Sequence, residues 1–366
     1  MFFASFLVVM LPLVDSFHGP TTAARMVRQQ PSMVIGRVIR RWRAPSGDVD
    51  AAGPYCTTKA VVVGASGNVG KMVTARMLEE GYCVTALVRS WAAGDALYDY
   101  LQKVHVCPNL PEILIADICA EDSRPALKEA LKGAERVVVT TGTTAFPTKA
   151  WAGGRVQSDD VGSVVWRSLW DHSFDRTLAM NYLTNNLDMN TPEQVDHRGV
   201  ERVAECLDPR SLRRCVLMSS LGVTRRDEFP FTMLNSMGVL DAKAKGEDAI
   251  KKNCEKIGAE WSIVRPGQLF GPPYDNNFYL GTLFELEKSQ ETQALDIHKG
   301  DASKGDTTRT ALADVLVHSL DCTATKNTDF TVLTVKGRRP DKQAMDDNLH
   351  SVLGGTPRVL AGAAAV

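Results

Sequence analysis

Runs of apolar and β-branched residues recur along the chain from residue 59 onwards, with longer amphipathic stretches between them. A short apolar run bounded by turn residues predicts a buried strand, whereas apolar positions at three- to four-residue intervals predict a helix. Strands that alternate with helices predict an α/β domain with a doubly wound, mostly parallel sheet. The predicted strands are residues 59–63, 83–88, 113–115, 136–140, 213–219, 260–264 and 329–334, and a long helix is predicted over residues 237–257.

The first two predicted strands enclose a glycine-rich turn. Strand 59–63 runs into Gly64, and Gly67 and Gly70 follow before a helical pattern and strand 83–88. This arrangement is typical of Rossmann dinucleotide binding: the glycines permit the tight turn, the approach of the pyrophosphate and close helix–strand packing, respectively. The helix N-terminus offers N–H groups and a positive dipole end to the phosphates. The predicted binding residues here are Gly64, Ala65, Ser66, Gly67, Asn68, Val69 and Gly70.

The end of the second strand bears on the choice of cofactor. An NAD site usually places an acid there to accept hydrogen bonds from the ribose hydroxyls. This strand ends instead in Arg89 and Ser90, with no acid nearby. A guanidinium and a hydroxyl suit the 2′-phosphate of NADP. The pattern therefore favours NADP over NAD, and the alternative is that Arg89 is a solvated surface arginine.

Two later strand ends are further candidates for cofactor contacts. Asp117 and Ile118 follow the third strand, where an acid would face the adenine amine. Thr141 and Gly142 follow the fourth strand, where small residues let the backbone pass close to the ribose. Ordinary strands ending in turns are the competing interpretation of both segments.

The first fifty residues have the composition of a targeting sequence. Residues 2–14 are apolar, too short a run to span a bilayer comfortably but typical of a signal-peptide core. Residues 17–50 then begin with an arginine-rich, acid-free stretch typical of a transit peptide. We therefore predict a signal peptide over residues 1–16, a transit peptide over residues 17–50 and a stromal location in a plastid. A secreted protein with a basic pro-segment is the alternative.

Charge and composition exclude several function classes. The 366 residues carry a formal net charge of −1, with 44% hydrophobic and 23% charged residues. Six arginines and one aspartate give the first 47 residues a net charge of +5, so −6 is left for the remainder. A mildly acidic mature chain argues against a nucleic-acid partner. No apolar stretch after the presequence is long enough to predict a membrane span.

Cysteine and histidine spacing predicts neither a disulfide framework nor a metal site. The eight cysteines form no CxxC pair, and in a chain this long they are expected to be ordinary thiols. The seven histidines show no HExxH or HxH spacing, so no bound metal is expected.

Seven motifs follow one another along the chain: GASGNVG, the AD of IAD, VVVTTGTTAFP, NTPEQVD, VLMSSLGV, FPFTMLNSMGVLDAKAKGE and WSIVRPGQLFGPPY. They stand in the order found in the atypical short-chain dehydrogenase/reductase family, and the chain resembles its plastid members over roughly residues 58–345. The resemblance implies a Rossmann fold and a bound NAD(P). The family also includes the Rossmann subunit that tethers ferredoxin–NADP reductase and assembly factors of photosystem II.

The resemblance implies catalytic positions but also a departure from the family pattern. Catalytic members of the wider family use a serine, a tyrosine and a lysine four residues after the tyrosine. Ser219 and Ser220 lie in the serine region, and Lys243 matches the lysine, which implies that Ser220 and Lys243 are catalytic and that Lys243 binds the nicotinamide ribose. Val239 stands at the tyrosine position, so the usual proton donor is missing.

Each of these assignments has an alternative. The alternative for Lys243 is an ordinary lysine on a helix surface, and the serines are equally suited to capping a strand end. Tyr274, after the sixth strand, is a candidate substitute acid. The resemblance also implies that Pro266 and Gly267 place backbone near the nicotinamide amide.

The alternation of strands and helices predicts a single Rossmann domain over residues 51–350, with a small C-terminal substrate-side lobe over residues 266–308. A flexible tail is predicted over residues 351–366, since the chain from residue 354 onwards is rich in glycine and alanine. About 35 residues, 153–189, are extra relative to the family pattern. These residues, which include Trp166 and Trp170, are a candidate lid or docking element. The alternative is a species-specific surface loop with a little helix.

Two functions follow as hypotheses, with a purely structural subunit as a weaker third. The first is an NADPH-dependent plastid reductase of a small or pigment-like substrate, favoured by the glycine turn and Arg89. The second is a non-catalytic NADP(H)-binding scaffold or assembly factor for a photosynthetic complex, favoured by Val239 and by residues 153–189 as the partner-binding segment.

Overall fold

The computed structural model describes residues 40–41 (backbone only), 56, 58–104, 110–154, 156–271, 292–301 and 304–354. In this part of the chain the strands are β1 Arg40–Arg41, β2 Lys59–Val63, β3 Cys83–Val88, β4 Glu112–Ile115, β5 Arg136–Val139, β6 Arg214–Met218, β7 Glu260–Pro266, β8 Gln268–Phe270, β9 Ala294–Lys299, β10 Asp306–Thr308 and β11 Thr328–Val335. The α-helices are α1 Gly70–Glu79, α2 Trp91–Lys103, α3 Arg124–Leu131, α4 Val161–Asp171, α5 Arg176–Asn185, α6 Val200–Glu205, α7 Phe231–Leu234, α8 Val239–Ile257, α9 Arg309–His318 and α10 Lys342–Leu353.

Nine strands form one sheet in the order β1-β4-β3-β2-β5-β6-β7-β11-β9. The seven inner strands of this order, β4, β3, β2, β5, β6, β7 and β11, are parallel to one another. They correspond to the seven strands predicted from the apolar runs. The strand order reverses between β2 and β5, and in open α/β sheets a crevice for ligands lies at the carboxyl edge beside such a reversal. The prediction of a doubly wound, mostly parallel Rossmann sheet is confirmed.

Helices cover both faces of the sheet because successive strand residues point to opposite sides. In β2, Ala60 and Val62 pack in the cluster that contains α1, α2, α9 and α10. Val61 and Val63 pack in the cluster that contains α3, α6 and α8. A strand buried on both faces is a continuous apolar run, which explains why these strands were predictable.

Two strands of the sheet were not predicted. Strand β9 runs antiparallel to β11 at one edge, so this part of the predicted lobe over residues 266–308 belongs to the main sheet. Only Leu295 and Ile297 of β9 are buried, and such an alternating edge strand has a weaker apolar signal than a central one. At the other edge, β1 pairs antiparallel with β4, inside the segment predicted as a transit peptide.

The remainder of the predicted lobe is small. Strands β8 and β10 form a separate two-stranded parallel sheet, and residues 272–291 lie outside the described residues. Helix α10 continues to Leu353, three residues into the predicted tail, and residues 355–366 are likewise outside.

Within the insertion, residues 153–154 and 156–189 are described, and they contain helices α4 and α5. Helices α4 and α5 pack on a core of their own that includes Trp151, Val165 and Leu183. The indole N–H of Trp151 donates to the carbonyl of Thr144 at 3.2 Å, which ties the segment to the loop after β5. The insertion therefore stands next to the carboxyl edge of the sheet.

The expectation that every cysteine is an ordinary thiol is wrong for Cys56 and Cys83, which form a disulfide. Strands β2 and β3 are parallel neighbours, so their amino ends lie side by side: Lys59 pairs with Cys83, and the Cys83 N–H donates to Thr58 O at 2.9 Å. The spacing of 27 residues follows from one β–α–β unit, which a search for local cysteine pairs does not detect.

Within the described residues, no helix combines the length and the apolar character needed to cross a membrane.

Candidate functional site

The glycine turn after β2 has the geometry that its spacing predicts. Gly64 has a φ of +80°, and a Cβ there would lie 2.7 Å from the Thr141 side chain. A Cβ on Gly70 would lie 2.1 Å from the carbonyl oxygen of Gly64, so only glycine lets α1 start this close to β2. Gly67 and Asn68 are exposed at the tip of the turn, where a phosphate can reach the backbone.

The first turn of α1 is open to an anion. Among the described residues no side chain caps this helix, and its first turn contains no acid. The N–H groups of a helix N-terminus need partners, and its dipole favours negative charge. The N–H groups of Gly64 and Ala65 are already used, since both donate to Leu87 O at 3.1 Å. Together with the exposed tip, the uncapped α1 N-terminus fits the pyrophosphate of a dinucleotide.

Arg89 lies at the carboxyl end of β3 with an exposed side chain, and it forms no hydrogen bond or ion pair with the described residues. Ser90 caps α2, because its Oγ accepts from the Ala93 N–H at 3.3 Å. A guanidinium beside a helix N-terminus is a suitable setting for a phosphate. The structure therefore places both predicted residues at the start of α2, and the Ser90 hydroxyl already accepts one hydrogen bond from that helix.

The two residues predicted after β4 differ in their environment. Asp117 accepts from the Cys119 N–H at 2.9 Å, which shapes the turn. The Ile118 side chain is buried in the core, where a Cβ on Gly199 would lie 2.8 Å from it. The Ile118 carbonyl accepts a hydrogen bond from Arg202 at 2.8 Å. Only Asp117 therefore offers a polar side chain near the edge of the sheet.

Thr141 and Gly142 lie directly after β5, opposite Gly64. Thr141 Oγ1 is buried and has no hydrogen-bond partner among the described residues. A Cβ on Gly142 would lie 3.1 Å from Lys243 Nζ. An orphaned buried hydroxyl beside a close backbone approach is the feature expected where a ligand hydroxyl completes the hydrogen bonding.

Lys243 extends from the second turn of α8 into this region. Its Nζ lies 2.7 Å from Asp196 Oδ1, and the two side chains are 11% and 1% exposed. Asp196 Oδ2 accepts from the Thr143 N–H at 3.1 Å. Burial raises the pKa of Asp196, and the charge of Lys243 only partly opposes that shift. Lys243 is thus a buried, paired ammonium and not a solvated helix lysine.

A small cavity at this edge lies between the Lys243–Asp196 pair and the carboxyl ends of β5 and β6. It is lined by Thr141, Asp196, Val200, Leu217, Met218, Ser219 and Lys243. Asp196 enters it from the π-helical segment Glu193–Gly199 that precedes α6. A Cβ on Gly246 would lie 2.3 Å from the Asp196 carbonyl, so glycine at that position lets α8 approach.

The position of the missing tyrosine is apolar. Val239 is 4% exposed and packs with Leu221, Phe231 and Leu333. Tyr274, the predicted substitute acid, lies outside the described residues. Among the described residues that line the cavity, Lys243 is therefore the basic side chain.

The two serines after β6 have different partners. Ser219 Oγ donates to Glu247 Oε1 at 2.6 Å. Glu247 also receives two hydrogen bonds from Arg265, at 2.9 and 2.6 Å, deep in the protein. Ser220 Oγ donates to the neighbouring carbonyl of Leu221 at 3.1 Å and is half-buried. Ser219 therefore belongs to a structural network, and Ser220 is the serine whose hydroxyl bonds only locally among the described residues.

The end of β7 is fixed by its neighbours. The Pro266 carbonyl accepts from the Leu221 N–H at 2.9 Å, and the Gly267 N–H donates to Thr307 Oγ1 at 2.8 Å. A Cβ on Gly267 would lie 2.1 Å from Gly305 O. The backbone at Gly267, which was predicted to lie near the nicotinamide amide, therefore lies close to the backbone of Gly305, just before β10.

Sequence reasoning missed Asp196. The residue lies within the motif NTPEQVD, but nothing in a single sequence shows that its carboxylate is buried or that it pairs with a lysine in another helix. Its only local signal is an acid directly preceding a helical apolar pattern.

Comparisons with known proteins agree with this geometry. A sequence profile of the family described as NAD(P)H-binding matches residues 64–323. No curated protein sequence matches the chain. Among solved structures, the chain is similar to a putative NAD-dependent epimerase/dehydratase from Bacillus halodurans, with 17% identity over 81% of this chain and 100% of that chain and a TM-score of 0.50.

A second similar structure is the oxidoreductase ylbE from Lactococcus lactis, with 15% identity over 81% of this chain and 98% of that chain and a TM-score of 0.49. At such identities the structural likeness concerns the fold alone. The family match covers more than half of the chain and includes the glycine turn, the cavity and Lys243. The chain therefore belongs to the NAD(P)H-binding family, with the Rossmann fold of the atypical short-chain dehydrogenases/reductases.

Proposed function

We propose that this protein is an NADP(H)-dependent oxidoreductase acting on a small or pigment-like substrate. The observation that carries the proposal is the buried pair of Lys243 and Asp196, 2.7 Å apart beside Gly142. A buried charge pair is costly to maintain, and it stands where the carboxyl edge of the sheet would meet the nicotinamide half of a dinucleotide.

Each residue of the site has a defined task in this proposal. The bound NADPH supplies a hydride. Lys243 holds the nicotinamide ribose through its ammonium group, while Asp196 fixes the direction of that ammonium. Thr141 Oγ1 is available to a ribose hydroxyl. With Val239 in place of the tyrosine, Lys243 is also the group in the described cavity that can deliver a proton to the substrate.

The preference for NADP rests on Arg89, whose exposed guanidinium lacks a partner among the described residues. Calorimetric titration of the purified protein with NADPH and NADH tests it. We expect Arg89→Ala to weaken NADPH binding about tenfold or more, since a charge-assisted hydrogen bond contributes about 1.5–3 kcal/mol, and to leave NADH binding unchanged. Arg210→Ala, an exposed arginine at the opposite edge of the sheet, is the control. Tighter binding of NADH by the wild type would refute the assignment.

Activity is tested separately by NADPH consumption against quinones, enones and chlorophyll precursors. Turnover that is lost in Lys243→Ala would support the oxidoreductase. Lack of turnover with every substrate would contradict the oxidoreductase and favour the second candidate function, a non-catalytic scaffold.

That second candidate is a non-catalytic NADP(H)-binding scaffold for a photosynthetic complex. The observation that favours it is an aromatic face on α4 and α5, where several large apolar side chains are exposed. Its members are Trp166, Trp170, Phe174, Leu178 and Tyr182, 40–65% exposed. Exposed apolar patches of this kind mark interaction sites.

A double variant, Trp166→Ser with Trp170→Ser, tests the scaffold. We expect it to fold and to bind NADPH as the wild type does, because both indoles are about half exposed or more. Recovery of photosynthetic proteins with the wild type but not with the variant would support the scaffold. Equal recovery by both would contradict it.

We also propose that the protein acts in the plastid stroma, supported by the two-part composition of residues 1–50. Imaging of the full chain with a C-terminal fluorescent tag distinguishes this location from secretion.

A further inference from the structure

Three potential metal ligands meet at the end of the domain opposite the cofactor edge. His318, Cys322 and Asp346 each direct one ligand atom into a common space, and these atoms lie within 4.8 Å of one another. His318 Nε2 lies 3.0 Å from Asp346 Oδ1. The Cys322 residue is 4% exposed and the Asp346 residue 2%.

The fold itself brings these residues together. His318 ends α9, and Cys322 follows one turn later in the connection to β11. Asp346 comes from the first half of α10, which packs against that connection. The connection is held firmly, because Arg214 Nη1 donates to the carbonyl of Cys322 at 3.0 Å. The ligand positions are therefore set by secondary structure and not by a loose loop.

A second layer of contacts orients the carboxylate. His350 Nδ1 lies 2.8 Å from the backbone carbonyl oxygen of Asp346 and 3.3 Å from its Oδ2. His350 Nε2 lies 2.9 Å from Thr323 Oγ1. Metal-binding carboxylates are commonly held by such outer partners. Leu320, Met345 and Leu349 belong to the apolar core that also contains Cys322, so the site borders that core.

We propose that His318, Cys322 and Asp346 form a binding site for a divalent metal of the zinc class. Imidazole, thiolate and carboxylate are the ligands that Zn²⁺ takes, at bond lengths of about 2.0–2.3 Å, so tetrahedral ligand atoms stand about 3–4 Å apart. The observed spacing needs only small side-chain movements to reach that arrangement. His318 is the most exposed of the three, at 14% of its side chain, and leaves a fourth position for water on the solvent side.

The location indicates a structural and not a catalytic metal. In a doubly wound sheet the helix that follows a strand returns to the amino edge, so the end of α9 lies far from the turn at Gly64. A metal here joins α9, its following connection and α10, and it stabilises the folded state because the unfolded chain lacks the site.

Cobalt spectroscopy on the full chain, purified without reductant so that the Cys56–Cys83 disulfide is kept, tests the site. We expect one equivalent of Co²⁺ to produce a thiolate-to-cobalt charge-transfer band, Zn²⁺ to abolish that band by competition, and Zn²⁺ to raise the Tm. Cys322→Ser should lose the band, and Asp346→Asn and His318→Gln should weaken Co²⁺ binding at least tenfold. Circular dichroism confirms that each variant is folded.

Two control variants make the result specific. Cys206→Ser removes a buried thiol elsewhere, and His298→Gln breaks the His298–Asp296 pair at 3.0 Å on the surface; both should keep the band and the Zn²⁺-dependent rise in Tm. Absence of the band in the wild type, or its persistence in Cys322→Ser, would overturn the proposal and identify the cluster as a network held by hydrogen bonds alone.

Discussion

Lys243 on α8 and Asp196 before α6 form an ion pair with 2.7 Å between Nζ and Oδ1, and the Asp196 side chain is only 1% exposed. The pair joins two helices that follow different strands of the sheet. Removing one member of a buried pair leaves the other charge without compensation. The stability of the fold and the chemistry of the site therefore depend on the same contact.

Lys243→Met should make the stability of the protein more dependent on pH. Burial raises the pKa of Asp196, and the substitution removes the charge that opposes burial. A carboxyl whose pKa is higher in the folded than in the unfolded state favours folding when it is protonated, so the free energy of unfolding should fall as the pH rises above the ordinary carboxyl value of 3.8. Urea unfolding at several pH values measures this. Lys252→Met, an exposed lysine of α8, is the control, and parallel pH profiles for the two variants would contradict the prediction.

Gly70→Ala should strongly weaken cofactor binding. Its Cβ would lie 2.1 Å from the Gly64 carbonyl oxygen, and a backbone atom cannot move aside without shifting the turn that receives the pyrophosphate. We expect a loss of NADPH affinity of more than tenfold and a cost in stability of about 1–3 kcal/mol. Gly162→Ala is a matched control, because a Cβ there meets no atom within 4 Å. Calorimetry and urea unfolding give the two quantities, and unchanged NADPH affinity in Gly70→Ala would be the contrary result.

Glu247→Ala should be strongly destabilising. Glu247 pairs with Arg265 at 2.6 Å, and the two side chains are 4% and 2% exposed. Loss of the carboxylate leaves a buried guanidinium with one remaining acid, Asp329, so we expect the free energy of unfolding to fall by about 3–5 kcal/mol.

The exposed pair of Arg213 and Glu135, 3.1 Å apart with Arg213 70% exposed, supplies the comparison. Glu135→Ala should cost no more than about 1 kcal/mol, as surface pairs do. Similar losses in the two variants would show that the buried network is not a principal source of stability.

Glu193 should contribute to acid unfolding. Burial raises the pKa of Glu193, but hydrogen bonds from His197 and Lys245 outweigh this effect and lower it to about 2. A depressed carboxyl pKa stabilises the fold above the ordinary value of 4.5, and that contribution is lost as the pH falls towards 2. Glu193→Gln should therefore flatten the decline in stability over this range. Acid titration followed by circular dichroism, with Glu255→Gln on the exposed face of α8 as control, tests it.

Much of the fold was predictable because its signals are local. The seven parallel strands are apolar runs, and the glycine turn is a contiguous segment whose spacing reflects its own backbone geometry. By contrast, β9 is an alternating edge strand, and the pairing of Cys56 with Cys83 depends on two strands being neighbours in the sheet. Neither feature has a signature within a short window of sequence.

The amino-acid sequence alone determined the Rossmann architecture and the turn at Gly64, since hydrophobic periodicity and glycine spacing act over a few residues. Only the tertiary structure decided that Lys243 is paired with Asp196, that Ser219 is bound to Glu247 and that His318 meets Asp346. These contacts join residues 28 to 47 positions apart. Such pairs form only once the strand order and helix packing bring distant segments together, so their chemistry is a property of the folded chain.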